Sequence, residues 1–189
     1  SVLSVAFSDD GEYLVTGSWD GVARLWNLAG EKLADLSGHD KPIWDAAFSP
    51  DGQTIATASV NREIKLWDFE GNVKSSFTAH LGEVRSVEFS TDGQFLLSAS
   101  LDGTVRLWRL DDRSKELPVL VRAFRGPTQS GFIDASFSPD GRLIAAGGFD
   151  NITSVWSTDG ELLARLEGHA AEVRSVSFSS DGQTLVSAS

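Results

Sequence analysis

The sequence predicts an all-β chain of tandem four-stranded antiparallel units, and three observations carry that prediction. A tryptophan returns at Trp26, Trp67 and Trp108, 41 residues apart each time, and again at Trp156 after 48. Phe7, Phe48, Phe89 and Phe137 keep the same intervals, with Phe178 a further 41 residues on, and an Asp-Gly pair marches in step at Asp10, Asp51, Asp92, Asp140 and Asp181. Long amphipathic helical patterns are absent, so the repeat is built from strands and turns.

The third unit shows the elements in order. "VRSVEFS" (84–90) is rich in β-formers and reads as the first strand. "TDG" (91–93) is a tight turn in which Gly93 supplies a positive φ, and "QFLLSAS" (94–100) is the second strand. "LDG" turns again into "TVRLWRL" (104–110), and a less regular segment such as "NVKSSFT" (72–78) in the second unit provides the fourth strand. Strands like "FLLSAS" do not alternate cleanly between apolar and polar, as expected when both faces of a sheet are covered. Four antiparallel strands in roughly 40–45 residues is the arithmetic of a β-propeller blade.

The units divide the 189 residues into blades of approximately 1–37, 38–78, 79–126 and 127–167, with the inner half of a fifth at 168–189. All belong to one propeller segment. The longer interval comes from a seven-residue insertion within "RLDDRSKELPVLVRAFRGP" (109–127), expected to join the third and fourth strands of blade 3 or to lengthen the last. Neither terminus supplies the strands that would complete the fifth unit. Three arrangements are expected to answer this: further repeats flank the segment, open ends pair between chains as a homo-oligomer because unpaired edges and bare apolar faces invite association, or, least favoured for its strong curvature, four blades close on themselves and leave the half blade loose.

Asp and Glu outnumber Lys and Arg by 27 to 16, for a net charge of -11. That balance disfavours phosphate backbones and anionic membranes, so neither nucleic acid nor membrane is an expected partner. With no cysteine, thiolate metal sites and cysteine nucleophiles are excluded. No apolar run is long enough to span a bilayer and no signal peptide is evident, which leads to the expectation of a cytoplasmic protein.

The motif residues resemble the WD40 repeat family. Gly38-His39, Ala79-His80 and Gly168-His169 head their units, each His 12 residues before the first-turn Asp, and a Ser-x-Asp-Gly turn precedes a strand ending in Trp. The phrasing "FSPDGQTIATAS" (48–59) looks like WD40 arrays common in bacteria. The resemblance implies a buried hydrogen-bonded group of His, Ser or Thr, Asp and Trp in each blade. Carried over, this is His80, Ser100, Asp102 and Trp108 in the third unit, and Ser18, Asp20 and Trp26 in the first. The second unit offers His39, Ser59 and Trp67 with Asn61 in place of Asp, and His169 opens the fifth. In the fourth, Thr128 and Gly148 replace His and Ser beside Asp150 and Trp156, so blade 4 is expected to be the least rigid.

A chain containing Ser, His and Asp invites a hydrolase reading, but the trio recurs with the period, whereas catalysis needs one constellation of defined geometry. Phosphate loops and metal-ligand spacing are missing as well. The expectation is a non-enzymatic scaffold without cofactors that presents a loop face to a protein or peptide; the competing reading is a sensor or autoinhibitory module of a larger signalling NTPase or kinase. The family likeness exposes Trp19, Val60, Leu101 and Phe149 near the centre or rim of that face, with Leu3, Trp44, Arg85, Ile133 and Arg174 at the start of the inner strands. Trp19 and Trp44 are the two tryptophans the repeat leaves over. They either cap contacts between blades or anchor a partner, with Arg85 and Arg174 available to an acidic or phosphorylated one.

Overall fold

The computed structural model describes residues 1–110 and 117–189. Part of the insertion therefore lies outside the described residues; its described end continues into the fourth strand of the third sheet. The first sheet comprises β1 (Val2–Phe7), β2 (Tyr13–Ser18), β3 (Val22–Asn27) and β4 (Lys32–Ser37), hydrogen-bonded in that order and antiparallel throughout. The second repeats it with β5 (Ile43–Phe48), β6 (Ile55–Ser59), β7 (Glu63–Trp67) and β8 (Val73–Thr78). The third holds β9 (Val84–Phe89), β10 (Phe95–Ser100), β11 (Thr104–Arg109) and β12 (Val119–Arg125), and the fourth β13 (Phe132–Phe137), β14 (Leu143–Gly148), β15 (Thr153–Ser157) and β16 (Leu162–Leu166). Two strands, β17 (Ser175–Phe178) and β18 (Leu185–Ala188), form the inner half of a fifth.

The first turn of every unit is built the same way. A serine hydroxyl donates to the turn aspartate at 2.5–2.6 Å, at Ser8–Asp10, Ser49–Asp51, Ser90–Asp92, Ser138–Asp140 and Ser179–Asp181. The same aspartate accepts the N–H two residues on, as in Glu12 to Asp10 at 2.9 Å. This short-range bonding fixes the hairpin before any packing is required. The second turn places Gly21 and Gly103 in the left-handed region, with φ of 80° and 77°, and the equivalent Arg62 and Asn151 adopt it too, at 72° and 63°.

The core lies between sheets rather than inside them. One layer packs Val15, Leu25 and Leu36 of the first sheet against Ile43, Phe48 and Trp67 of the second, and two further layers repeat this arrangement along the chain. Each innermost strand touches the next, from β1 through β5, β9 and β13 to β17. Phe48, Phe89 and Phe137 are 6–8% exposed, but the equivalent Phe7, with no sheet against its outer side, is 61% exposed.

A buried polar chain within the blades and a candidate interaction site at the inner strands

The polar group of the third sheet is a chain of donors. Trp108 Nε1–H donates to Ser98 Oγ at 2.9 Å, and Ser98 Oγ lies 2.7 Å from His80 Nε2. His80 Nδ1 lies 3.0 Å from Asp102 Oδ2, which also accepts the Leu81 N–H at 2.9 Å. Because the indole can only donate, the serine hydroxyl donates its own hydrogen bond to Nε2, and the imidazole is neutral with its proton on Nδ1. Burial pushes the His80 imidazole below its usual range. Burial alone would raise the Asp102 carboxyl, yet hydrogen bonds from His80, Thr104 and the Leu81 N–H hold it well below the carboxylate range.

The hydroxyl in this chain is Ser98, not the expected Ser100. Strand register is the reason: Trp108 stands opposite Leu96, and Ser98 is its diagonal neighbour on the same face, within reach of a long side chain. Ser100 lies beyond the register paired with β11 and accepts the Asp102 N–H at 3.0 Å as part of the turn. The same shift of two residues holds elsewhere. Thr57, rather than Ser59, bonds His39 and Trp67 at 2.8 Å each. Thr16, rather than Ser18, accepts from Trp26 at 3.1 Å, and His169 meets Ser187 at 2.7 Å. Ser18 and Ser59 instead donate to backbone carbonyls, of Ser1 at 3.1 Å and Pro42 at 2.8 Å.

Departures from the pattern have local consequences. With Asn61 in the Asp position, His39 Nδ1 is buried without a hydrogen bond, and Asn61 turns to Asp40 and Glu63 at 2.8 and 2.9 Å. Burial, then the nearby Lys65 charge, lowers the His39 pKa to about 4. Asp20 pairs with Arg24 at 2.9 Å instead of with a histidine. In the fourth sheet the joining hydroxyl is replaced by Ala146, and Thr128 donates to Asp150 at 2.7 Å. Gly148 has a steric cause: a Cβ there would come within 2.1 Å of the Gly131 carbonyl oxygen.

Ser98, His80 and Asp102 thus share the bond order of a hydrolytic triad, but Ser98 is fully buried and His80 is 1% exposed. The hydroxyl already serves as acceptor for an indole, so no substrate carbonyl can reach it.

The inner strands converge on a cavity of about 410 Å³. Leu3, Trp44, Arg85, Ile133 and Arg174, which share one repeat position, are among the residues that line it. Trp19, 56% exposed, meets Trp44 edge-on with ring centroids 6.0 Å apart. The Arg85 guanidinium lies 3.6 Å from the centroid of the Trp44 ring, and Trp44 Nε1–H donates to Glu83 at 2.9 Å, the same carboxylate that pairs with Arg85 at 3.6 Å. The guanidinium covers one face of the Trp44 ring and, with the Glu83 bond, holds the half-buried indole in place. Val60 and Leu101 are half-buried and Phe149 is exposed; none of the three lines this cavity. A cavity of about 450 Å³ between the third and fourth sheets, lined by Phe95, Leu107 and Asp159, has a smaller counterpart between the second and third, and is a gap belonging to the repeat.

Beneath the mouth lies a feature the sequence reading missed. Ser4, Asp45, Ser86, Asp134 and Ser175 occupy one repeat position and line the same cavity. Asp45 accepts the Val87 N–H of the next sheet at 3.0 Å, Asp134 accepts the Val176 N–H at 2.8 Å, and Ser86 accepts from Ala135 at 3.2 Å. Burial, reinforced by Asp134, raises the Asp45 pKa to about 7; burial and the same two carboxylates raise that of Glu88 to about 7. Burial raises Asp134 as well, against hydrogen bonds from Val176, Ser175, Ala135 and Ser86 that lower it. The alternation of Ser and Asp at that spacing was legible, but only the ring geometry turns it into a cluster.

Among the described residues, no group of three or more His, Asp or Glu is placed to hold a metal, and no helix is long and apolar enough to cross a membrane. Consecutive four-stranded antiparallel sheets, the first three each locked by an indole–hydroxyl bond, packed face to face around converging inner strands, define a β-propeller repeat protein. The model of the WD domain, G-beta repeat, matches residues 1–27, 30–68, 71–109, 118–157 and 160–189, and the chain belongs to this WD40 family. It is 38% identical over 73 residues to the U5 small nuclear ribonucleoprotein 40 kDa protein of Bos taurus, a match covering 36% of this chain and 20% of that protein. Over 61 residues it is 41% identical to Probable cytosolic iron-sulfur protein assembly protein 1 of Eremothecium gossypii, covering 29% of the chain and 19% of the relative. Pre-mRNA-processing factor 19 of Oryza sativa subsp. japonica is 34% identical over 61 residues, with 32% and 12% covered. The matched segment therefore spans a fifth or less of each relative. All three are eukaryotic, so the bacterial phrasing of the repeat finds no support among them.

Proposed function

We propose that this chain is a non-enzymatic interaction scaffold that presents its loop face, centred on Trp19 and Trp44, to a peptide or protein. The observation that supports this reading is the contact series Trp19–Trp44–Arg85, in which exposed Trp19 meets half-buried Trp44 edge-on and Trp44 carries the Arg85 guanidinium over its ring at the lining of a cavity. Tryptophan and arginine are the side chains most enriched at binding hot spots. The triad-like residues are sealed inside the blades, which leaves them to stability. A net charge of -11 also favours a protein partner over a phosphate backbone.

The test is selection of displayed peptides on the chain, followed by binding to Trp19→Ala/Trp44→Ala. Loss of binding with an unchanged circular dichroism spectrum and urea midpoint supports the reading. Retained binding refutes it, and unfolding of the double variant assigns the pair to packing.

A further inference from the structure

Arg85 and Arg174 flank Ile133 at the mouth, at one repeat position in the third and fifth units. Among the described residues each has one ionic partner, two residues upstream, Glu83 at 3.6 Å and Glu172 at 2.5 Å. A guanidinium carries five N–H donors in a fork that fits carboxylate or phosphate, so these pairs leave donors unspent. Desolvation, eased by Glu83 and reinforced by the Arg174 charge, lowers the Arg85 pKa, so an anion placed between the two cations relieves a cost already present.

What lies behind the arginines sets a second condition. Asp45 and Asp134 line the same cavity, and neither has a cationic ion-pair partner among the described residues. Around Asp45 stand Ser4 from β1, Arg85, Ser86 and Glu88 from β9, and Asp134 from β13; around Asp134 stand Ser86 and Glu88 from β9, and Arg174 and Ser175 at the start of β17. Two ionised carboxylates beneath an incoming anion repel it, and a proton on one of them removes that repulsion.

Building on the scaffold reading, we propose that the mouth captures an acidic group of the partner, a carboxylate or phosphate, between Arg85 and Arg174, and that capture takes up a proton from solvent onto the Asp45–Asp134 pair. Binding and proton uptake are then linked, and the affinity for an acid rises as pH falls.

The probe is a dye-labelled N-acetyl hexaglutamate amide, followed by fluorescence anisotropy on the whole chain at pH 6, 7 and 8, where its carboxylates stay ionised. Affinity should rise toward pH 6, by at most about tenfold per pH unit for one proton. Arg85→Gln/Arg174→Gln should weaken binding about tenfold or more, the worth of charge-assisted hydrogen bonds. Asp45→Asn and, separately, Asp134→Asn keep an acceptor for the latch N–H and should flatten the pH slope while tightening binding at pH 8. A phosphoserine peptide compared with its glutamate counterpart separates the two acid sources. Binding that is flat with pH, indifferent to the arginines, or weaker than that of a hexalysine peptide overturns the proposal. If hexalysine or an uncharged peptide binds in a manner lost in Trp19→Ala/Trp44→Ala, the acid proposal falls while the scaffold reading stands; no binding by any peptide removes both.

Discussion

Replacing Ser98 by alanine strips two buried groups of their partner at once. The Trp108 indole N–H loses its acceptor at 2.9 Å and His80 Nε2 its donor at 2.7 Å, in a site where Ser98 is fully buried and His80 nearly so. At about 1–3 kcal/mol per orphaned group, Ser98→Ala should cost about 2–6 kcal/mol. Ser100→Ala, by contrast, removes one bond to the Asp102 N–H, worth about 0.5–1.5 kcal/mol. Urea unfolding followed by far-UV circular dichroism separates the two: with a slope of about 2 kcal/mol per molar, the midpoint falls by about 1 M or more for Ser98→Ala and by less than about 0.8 M for Ser100→Ala. A cycle with Trp108→Phe, which keeps an aromatic ring but lacks the N–H, should return a coupling of about 1 kcal/mol or more with Ser98→Ala. Equal costs for the two serines, or strictly additive Ser98 and Trp108 changes, would refute the donor chain.

Other outcomes follow from the same geometry. Phe48→Ala should cost about 3–5 kcal/mol and Phe7→Ala, 61% exposed, about 1; equal costs with a concentration-dependent mass by light scattering would mean that a second copy covers the first sheet in solution. The folded pKa of Glu88, about 7, lies above its unfolded value, so its share of stability is present below about pH 4 and lost as pH rises through 7; Glu88→Gln should therefore flatten the decline in urea midpoint between pH 5 and 8, and an unchanged slope argues against it. For His39 the sign is opposite: its pKa is lowered to about 4, so stability is lost as pH falls from about 6.5 toward 4. Amide hydrogen exchange should be faster in β13–β16 than in β9–β12, because Ala146 leaves the fourth blade without the hydroxyl that joins its neighbours; equal protection would show that the polar cluster does not set blade rigidity.

The strands and their order were legible because period, turn chemistry and strand propensity agree in every unit. Phe7, Asp10 and Trp26 each recur with one spacing, and a local Ser–Asp bond closes every first turn without help from elsewhere. The polar cluster was half legible. His80, Asp102 and Trp108 follow from the motif, but Ser98 and Ser100 lie on the same face of one strand, and only the register against Leu96 and Trp108 decides between them. The mouth divides in the same way. Trp19 and Trp44 stood out as tryptophans outside the repeat, whereas Asp45 and Asp134 looked like unremarkable strand residues because the contacts that define them come from the next sheet, 42 residues away.

That division bears on where function can reside in such a chain. The indoles of Trp26, Trp67 and Trp108 repeat one task, and the hydrogen-bonding capacity of the groups they meet is spent inside the blade; in the third, Ser98 and His80 cannot act on a ligand without breaking the chain that holds Trp108. A distinctive surface has to come from positions where the units differ while the backbone keeps them in register. The start of the inner strand is such a position. It reads Leu3, Trp44, Arg85, Ile133 and Arg174 around one cavity, and the position beneath it alternates Ser and Asp. Variation is tolerated there because the strand is anchored by latches on its neighbour, as Val87 is on Asp45, so identity at the rim is free to answer to a partner. Loss of an anchor and loss of a rim residue should accordingly have different signatures: Asp45→Ala lowers the unfolding midpoint, whereas Trp44→Ala with Trp19→Ala lowers affinity at constant midpoint.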